Sequence, residues 1–310
     1  MPTRRSFIQN LAALGVVAGA ASAVTAAAAQ GTPQADNDAS RYDKYSTMKV
    51  TLNGPVANLL VSNVLSLPKP GERPPNLHWE LGEIFSEMRS DSRIRVIVMT
   101  GPGNGNFHAG KRNRYADNPS PRDQVNEWFN FAGLRRFHEE TAASEKILVA
   151  KVNGDAIGFG QSLVFAADII VAQEDALIGD FHLGMGEIGE YGPEFGVVPG
   201  DGGCALIPLF MPPALAKEYL LLGRQFRAAE LARLGIINYA VPAARLDATV
   251  DGLVQRLLKR PAYALAWSKR VANRRVIDHL NLTLDAAAAY EQLNMMQLEK
   301  RGWKDQLSFL

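Results

Sequence analysis

Short, densely apolar runs punctuated by glycine-rich turns dominate the middle of the chain. Met48 to Leu52 and Asn58 to Val64 are rich in β-branched and apolar residues and are split by Asn53-Gly54-Pro55, which predicts two strands joined by a turn. A helical stretch around Leu77 to Met88 precedes Ile94 to Met99, a buried-strand run closed by Thr100-Gly101. Ile147 to Val152 and Ile169 to Ala172 repeat that strand pattern, and between them Gly158 to Ala167 reads as a helix opened by glycines. Strand, glycine loop and helix in alternation predict an α/β core. The last third differs. Ala214 to Leu222, Ala228 to Leu234, Leu246 to Leu258, Ala262 to Arg275 and Leu282 to Leu298 carry helical periodicity with little strand signal, which predicts a C-terminal helical layer. No internal repeat is evident. Residues 30–45 (QGTPQADNDASRYDKY) hold few large apolar groups and read as a linker.

Composition narrows the function classes. The chain has 310 residues, 47% hydrophobic and 21% charged, enough apolar material for one large core. A formal charge of +1, with no dense basic run among aromatics, argues against a nucleic-acid partner. Cys204 is the single cysteine, which excludes an intramolecular disulfide and a cysteine-rich metal site. The glycine- and glutamate-rich segment holding His182, Glu187, Glu190 and Glu194 matches no specific ligand spacing, so no metal is expected, and its glycines favour a pliable lid instead.

At the N-terminus, Arg4-Arg5-Ser6-Phe7-Ile8 is followed by an apolar stretch from Leu11 to Val24 and by Ala27-Ala28-Ala29. This resembles a bacterial twin-arginine signal peptide over residues 1–29, which implies export to the periplasm or beyond. The apolar run is short and ends in alanine and glycine, so cleavage is expected rather than stable membrane insertion.

Several segments, in order, resemble the crotonase (enoyl-CoA hydratase/isomerase) superfamily. They are Arg95 to Gly110 (RVIVMTGPGNGNFHAG), Lys151-Val152-Asn153-Gly154 with Ala156, Gly158 and Gly160, Ala167-Asp168-Ile169, Gly196 to Gly203 (GVVPGDGG), and Leu221-Leu222-Gly223-Arg224 with Ala229-Glu230 and Leu234 to Asn238. The resemblance implies an α/β crotonase (ClpP/crotonase) fold of stacked ββα units. It places a core at residues 46–250 and a C-terminal helical trimerisation region at 251–310, so a homotrimer or hexamer is expected. It also implies an oxyanion hole of two backbone N–H groups, those of Ala109 and Phe159. The family normally has glycine where Phe159 stands.

Two glutamates add water to the double bond in this family's hydratases. The first position is Ser162 here, which is no general base near neutral pH. The second, counted forward from Ala176, is His182; counted backward by the Pro-Glu pair, it is Glu194, and the sequence leaves both open. A branch that fits better is that of the 6-oxocamphor hydrolase-like β-diketone hydrolases, which cleave a carbon–carbon bond without coenzyme A or another cofactor. Matched to that branch, the catalytic candidates are Asp201, His78 and Glu291, with His182 or Glu194 as the water-activating partner. Another histidine of the branch falls on Phe159. Trp79, Phe159 and Phe181 are the candidate substrate-binding residues.

Each assignment has a plainer alternative. Asp201 has the position to cap the helix after Gly202-Gly203, His78 to be structural, and Glu291 to sit in a surface ion pair. His108, His138 and His279 read as lying on the surface or behind the site. The leading expectation is a retro-Claisen hydrolase of a free ketone or diketone, which export favours because coenzyme A esters are cytoplasmic. The alternatives are an acyl-CoA hydratase, isomerase or thioesterase, and a non-catalytic ligand-binding protein on the same fold.

Overall fold

The computed structural model describes residues 36–62, 76–109, 124–183 and 196–301. The signal-like residues 1–29, Glu194 and the glycines of the expected lid lie outside them. In chain order the elements are β1 (Met48–Asn53), β2 (Val56–Val61), α1 (Leu77–Ser90), β3 (Val96–Thr100), β4 (Gly105–Ala109) and α2 (Gln124–Ala143). There follow β5 (Ile147–Val152), β6 (Gly154–Ile157), α3 (Phe159–Phe165), β7 (Ile169–Gln173), β8 (Leu177–Gly179), α4 (Gly203–Phe210) and α5 (Pro213–Leu221). The chain continues with β9 (Gln225–Arg227), α6 (Ala228–Arg233), β10 (Tyr239–Val241), α7 (Leu246–Leu258), α8 (Ala262–Ala272) and α9 (Arg274–Lys300).

Among the described residues the strands form two sheets, ordered β1-β2-β3-β5-β7-β10 and β4-β6-β8-β9. The large sheet is parallel from β2 to β10, with β1 antiparallel at its edge. Its strands read as continuous apolar runs because both faces are covered. Side chains alternate along them: Val96, Val98, Ile147, Val149 and Val171 meet Leu246, Val250 and Val254 of α7. Their neighbours Ile97, Met99, Leu148, Ala150 and Ile170 enter the main core with Ile84, Phe85, Phe137 and Leu163. Helix α7 thus crosses the expected boundary at residue 250 and packs on the sheet.

The smaller sheet positions the site. Its parallel strands β4, β6 and β8 end in register, Ala109 opposite Ile157 and Ile157 opposite Gly179. Beyond two of those ends run Gly158-Phe159 and Asp180 to His182, so these two chain segments leave the sheet side by side. Helix α2 crosses α1 closely: a Cβ on Gly133 would lie 2.4 Å from Cα of Trp79. The C-terminal layer is anchored by a buried ion pair, Lys269 Nζ to Asp168 Oδ2 at 2.7 Å, and α9 is one continuous helix where the sequence suggested a break after Arg275. No helix among the described residues is long and apolar enough to cross a membrane.

Candidate active site

His182 stands between two carboxylates. Its Nδ1 lies 3.0 Å from Asp180 Oδ1, and its Nε2 lies 3.3 Å from Asp201 Oδ2. All three side chains are buried. The backbone N–H of His182 also donates to Asp180 Oδ1, at 2.8 Å. Asp180 Oδ2 accepts from Gln161 Nε2 at 2.9 Å, and Gln161 Oε1 accepts from the Tyr219 hydroxyl at 3.1 Å. On the other side, Ser162 donates its hydroxyl to Asp201 Oδ1 at 3.0 Å. The result is one buried chain of hydrogen bonds from Tyr219 to Ser162.

Charge follows from that geometry. Burial opposes a proton on His182, but the flanking Asp201 and Asp180 outweigh it and hold the ring well above the ordinary histidine range. The flanking carboxylates therefore favour the imidazolium form of His182. Burial alone would raise Asp201, yet His182 beside it, His78 and the Ser162 hydroxyl pull its carboxyl below the ordinary value. Both shifts favour a proton on the imidazole facing the two carboxylates.

Glycines in the loop before α4 allow this convergence. Gly202 has φ +134°, and a Cβ there would lie 2.8 Å from both His138 Nε2 and Ser162 Cβ. A Cβ on Gly203 would come within 2.6 Å of Asp180 Oδ2, and one on Gly200 within 2.5 Å of Glu291 Oε2. The last contact sets the Glu291 carboxylate over the backbone just before Asp201. Asp201 does not cap α4: the capping residue is Gly202, with no side-chain hydrogen bond. The plainer reading of Asp201 is thereby replaced by its contacts to His182 and Ser162.

Phe159 is the hub of an aromatic wall. His78 stands edge-on to it with ring centroids 4.3 Å apart, and His108 and Phe137 lie at 5.8 and 6.4 Å. His78 Nδ1 is also 3.4 Å from Asn130 Oδ1. Phe181 stacks on His182 at 5.0 Å, and its ring lies against Gly158, where a Cβ would be 1.9 Å from Cε1. Trp79 sits on α1 beside His78 and is half-buried, with its backbone against α2. At Gly160 a Cβ would lie 1.8 Å from the carbonyl oxygen of His108. That close approach sets the start of α3, with Phe159, against the end of β4, with Ala109.

Of the sequence candidates, the structure brings together Asp201, His182, Glu291, His78 and Phe159, with Phe181 behind His182; Glu194 lies outside the described residues. Asp180, Gln161, Tyr219 and the Ser162 hydroxyl were missed. Asp180-x-His182 was visible as a period-two pair leaving a strand, but its segment was read as a lid. His138 is not on the surface: it is 1% exposed and its Nε2 lies 3.1 Å from the Asp201 carbonyl oxygen. Burial pushes its pKa down to about 4, and burial together with His78 does the same for His108. Burial drives the Cys204 thiol up to about 11, which removes it as a nucleophile. Among the described residues no group of three or more His, Cys, Asp or Glu side chains is set to hold a metal ion.

Residues 74–303 match the enoyl-CoA hydratase/isomerase family. Carnitinyl-CoA dehydratase of Escherichia coli (strain K12) is 32% identical over 225 residues, 73% of this chain and 79% of that protein. An enoyl-CoA hydratase/isomerase structure from Mycobacterium paratuberculosis superposes with a TM-score of 0.69 at 26% identity, covering 84% of this chain and 95% of that one. A β-diketone hydrolase from Anabaena sp. PCC 7120, bound to (S)-3-oxocyclohexyl acetic acid, also gives a TM-score of 0.69, at 20% identity, covering 85% of this chain and all of that one (100%). That last likeness is one of fold. With a family match over most of its length and a curated relative above 30% identity, the chain belongs to the enoyl-CoA hydratase/isomerase family, the crotonases.

Proposed function

We propose that this crotonase is a cofactor-independent hydrolase that cleaves a carbon–carbon bond of a β-diketone. The observation that carries this reading is the buried Asp180–His182–Asp201 array, with Ser162 rather than a carboxylate in the helix after the glycine turn. A hydratase needs two carboxylates at those positions. This site offers a carboxylate base and an imidazolium acid in contact, which suits addition of water to a ketone followed by departure of carbon.

The steps balance with one proton circulating. Water adds to a carbonyl carbon as its proton passes to the Asp201 carboxylate, and the N–H groups of Ala109 and Phe159 receive the alkoxide. Collapse forms the carboxylic acid and breaks the bond between the carbonyl carbon and the carbon shared by the two ketones. The electron pair leaves as an enolate of the second ketone, which takes the His182 proton at carbon. Asp201 then returns its proton to His182 along their 3.3 Å contact. Asp180 fixes the ring through Nδ1. In this reading His78 and Glu291 orient the diketone oxygens, and Phe159, Phe181 and Trp79 supply apolar walls.

The Anabaena β-diketone hydrolase of like fold supports this reading. The E. coli dehydratase, at higher identity, favours a second one: hydration or dehydration of an acyl-CoA. Incubation of the mature protein with cyclic β-diketones, without cofactor, decides between them. Loss of enol absorbance with formation of keto acid supports the hydrolase. Turnover of crotonyl-CoA or carnitinyl-CoA with no diketone cleavage overturns it.

A further inference from the structure

Two neighbours on the first turn of α3 each serve one of the carboxylates that flank His182. Ser162 donates to Asp201 Oδ1 at 3.0 Å, and Gln161 Nε2 donates to Asp180 Oδ2 at 2.9 Å. The Gln161 arm runs further, because its Oε1 accepts from the Tyr219 hydroxyl on α5, at 3.1 Å. Asp180, Gln161 and Tyr219 are all fully buried. Gly203 closes the arm from the loop side: a Cβ there would lie 2.6 Å from Asp180 Oδ2 and 3.0 Å from Gln161 Nε2. Tyr219 stacks on Phe226, with ring centroids 5.9 Å apart and 13° between the planes, and the Arg224 guanidinium covers Phe226 at 4.2 Å.

The direction of each bond in this arm follows from Asp180. The backbone N–H of His182, at 2.8 Å, and its ring Nδ1, at 3.0 Å, face Oδ1, while Gln161 Nε2 faces Oδ2. The carboxylate therefore meets donors on both oxygens once Nδ1 carries hydrogen. An amide has one donor face and one acceptor face. With Nε2 toward Asp180, Oε1 points at Tyr219, and the hydroxyl must donate. Burial drives the Tyr219 pKa well above the ordinary 10, so that hydrogen stays in place. Hydrogen bonds that run in one direction strengthen one another. Without the hydroxyl, Oε1 would be a buried acceptor with no donor, and the amide would be held by Asp180 alone.

We infer that Tyr219 and Gln161 are positioning residues for His182: through Asp180 they hold the imidazole with Nδ1–H turned inward and Nε2 facing Asp201. Neither reaches solvent, so each acts only through the next group in the arm. Turnover thus depends on a tyrosine separated from His182 by two intervening side chains. The effect on rate rests on the proposed role of His182 in the hydrolase reading; the hold on the ring does not.

Tyr219→Phe, Gln161→Met and the double variant, each in the full chain, test the arm. Proton NMR of the ¹⁵N-histidine-labelled protein without substrate reads the His182 Nδ1–H directly, and kinetics on a cyclic β-diketone read its consequence. Tyr219→Phe is expected to move that resonance and to lower kcat about tenfold, an order that one buried hydrogen bond supplies, with KM within twofold. Gln161→Met is expected to lower kcat further. The double variant should then match Gln161→Met, because Tyr219 reaches His182 only through the amide. Phe226→Leu loosens the ring stack but keeps every hydrogen bond of the arm, so a lower melting temperature with resonance and kcat unchanged is expected. Should Gln161→Met not fold, Tyr219→Phe against Phe226→Leu decides alone. An unmoved resonance in Tyr219→Phe, losses that multiply in the double variant, or an equal displacement by Phe226→Leu would overturn the inference. A moved resonance in a protein that cleaves no diketone would leave the positioning roles standing and remove the hydrolase reading instead.

Discussion

Replacing Asp201 by Asn removes one of two charges that keep a proton on a buried imidazole. At 3.3 Å, with an effective dielectric constant of about 20, the attraction between Asp201 and protonated His182 is about 5 kcal/mol before burial opposes it. With that attraction gone, burial works against Asp180 alone, and the His182 titration moves down. The variant loses both the acceptor for the water proton and much of the imidazolium that reprotonates the enolate. A fall in kcat of about 10²- to 10⁴-fold is expected, with KM little changed because the aromatic walls are untouched. The fold survives, since the Asn carbonyl still accepts from Ser162 and the amide fills the same space. The assay pairs steady-state cleavage of a cyclic β-diketone with ¹⁵N-detected titration of His182 and a thermal melt. A kcat within threefold of wild type, or a His182 titration that does not move, would refute the assignment of the pair.

The same proton inventory sets the pH dependence: His182 must be protonated, so kcat/KM falls as pH rises through its raised pKa, and a limb that climbs with pH would instead make neutral His182 the base. His138 pulls stability the other way. Its folded pKa of about 4 lies below the ordinary 6.5, so its contribution is present above pH 6.5 and lost as pH falls to 4. That is about 3 kcal/mol, read by urea unfolding as a narrowing gap between wild type and His138→Phe. Gly160→Ala drives a Cβ toward the His108 carbonyl, 1.8 Å away. It should lower stability by about 1–3 kcal/mol and depress kcat by parting Phe159 from Ala109, whereas an unchanged melt and rate would show that the hole is not built there. Tyr263, Trp267 and Val271 form an exposed apolar stripe on α8, 73%, 60% and 75% accessible. A homotrimer in light scattering is expected, and a monomer would contradict the proposed helical interface. Export by the twin-arginine route predicts a periplasmic product beginning near Gln30, checked by N-terminal sequencing.

What could be read in the sequence depended on how each element buries its surface. Ile147–Val152 is covered on both faces by the sheet's two apolar layers, so its run is apolar except for Lys151, whose Nζ reaches out to Asp247, and its ends were plain. Helix α2 went unseen. It packs against α1 on one side and α9 on another, which spreads its apolar residues around the axis and leaves no single stripe. The strands of the smaller sheet have three to five residues each, and their glycines read as loops. For the site, the glycine motifs pointed to the loops that carry Phe159 and Asp201, because those loops depend on local chain geometry. The choice between His182 and Glu194 depends instead on how a longer segment closes in space. Gln161 and Asp180 were silent for a related reason: a buried amide and carboxylate acquire meaning from each other, across a separation no local pattern spans.

One hydrogen bond bears on how such a site diversifies. The backbone N–H of Val197 donates to the carbonyl of His182 at 2.6 Å, which ties the two sides of the chain together just before the catalytic loop. That bond holds His182 to the start of the catalytic loop through main-chain atoms, four residues before Asp201. The alignment of acid and base is thus held partly by the backbone itself, and at Val197 any side chain except proline, which lacks the N–H, leaves it in place.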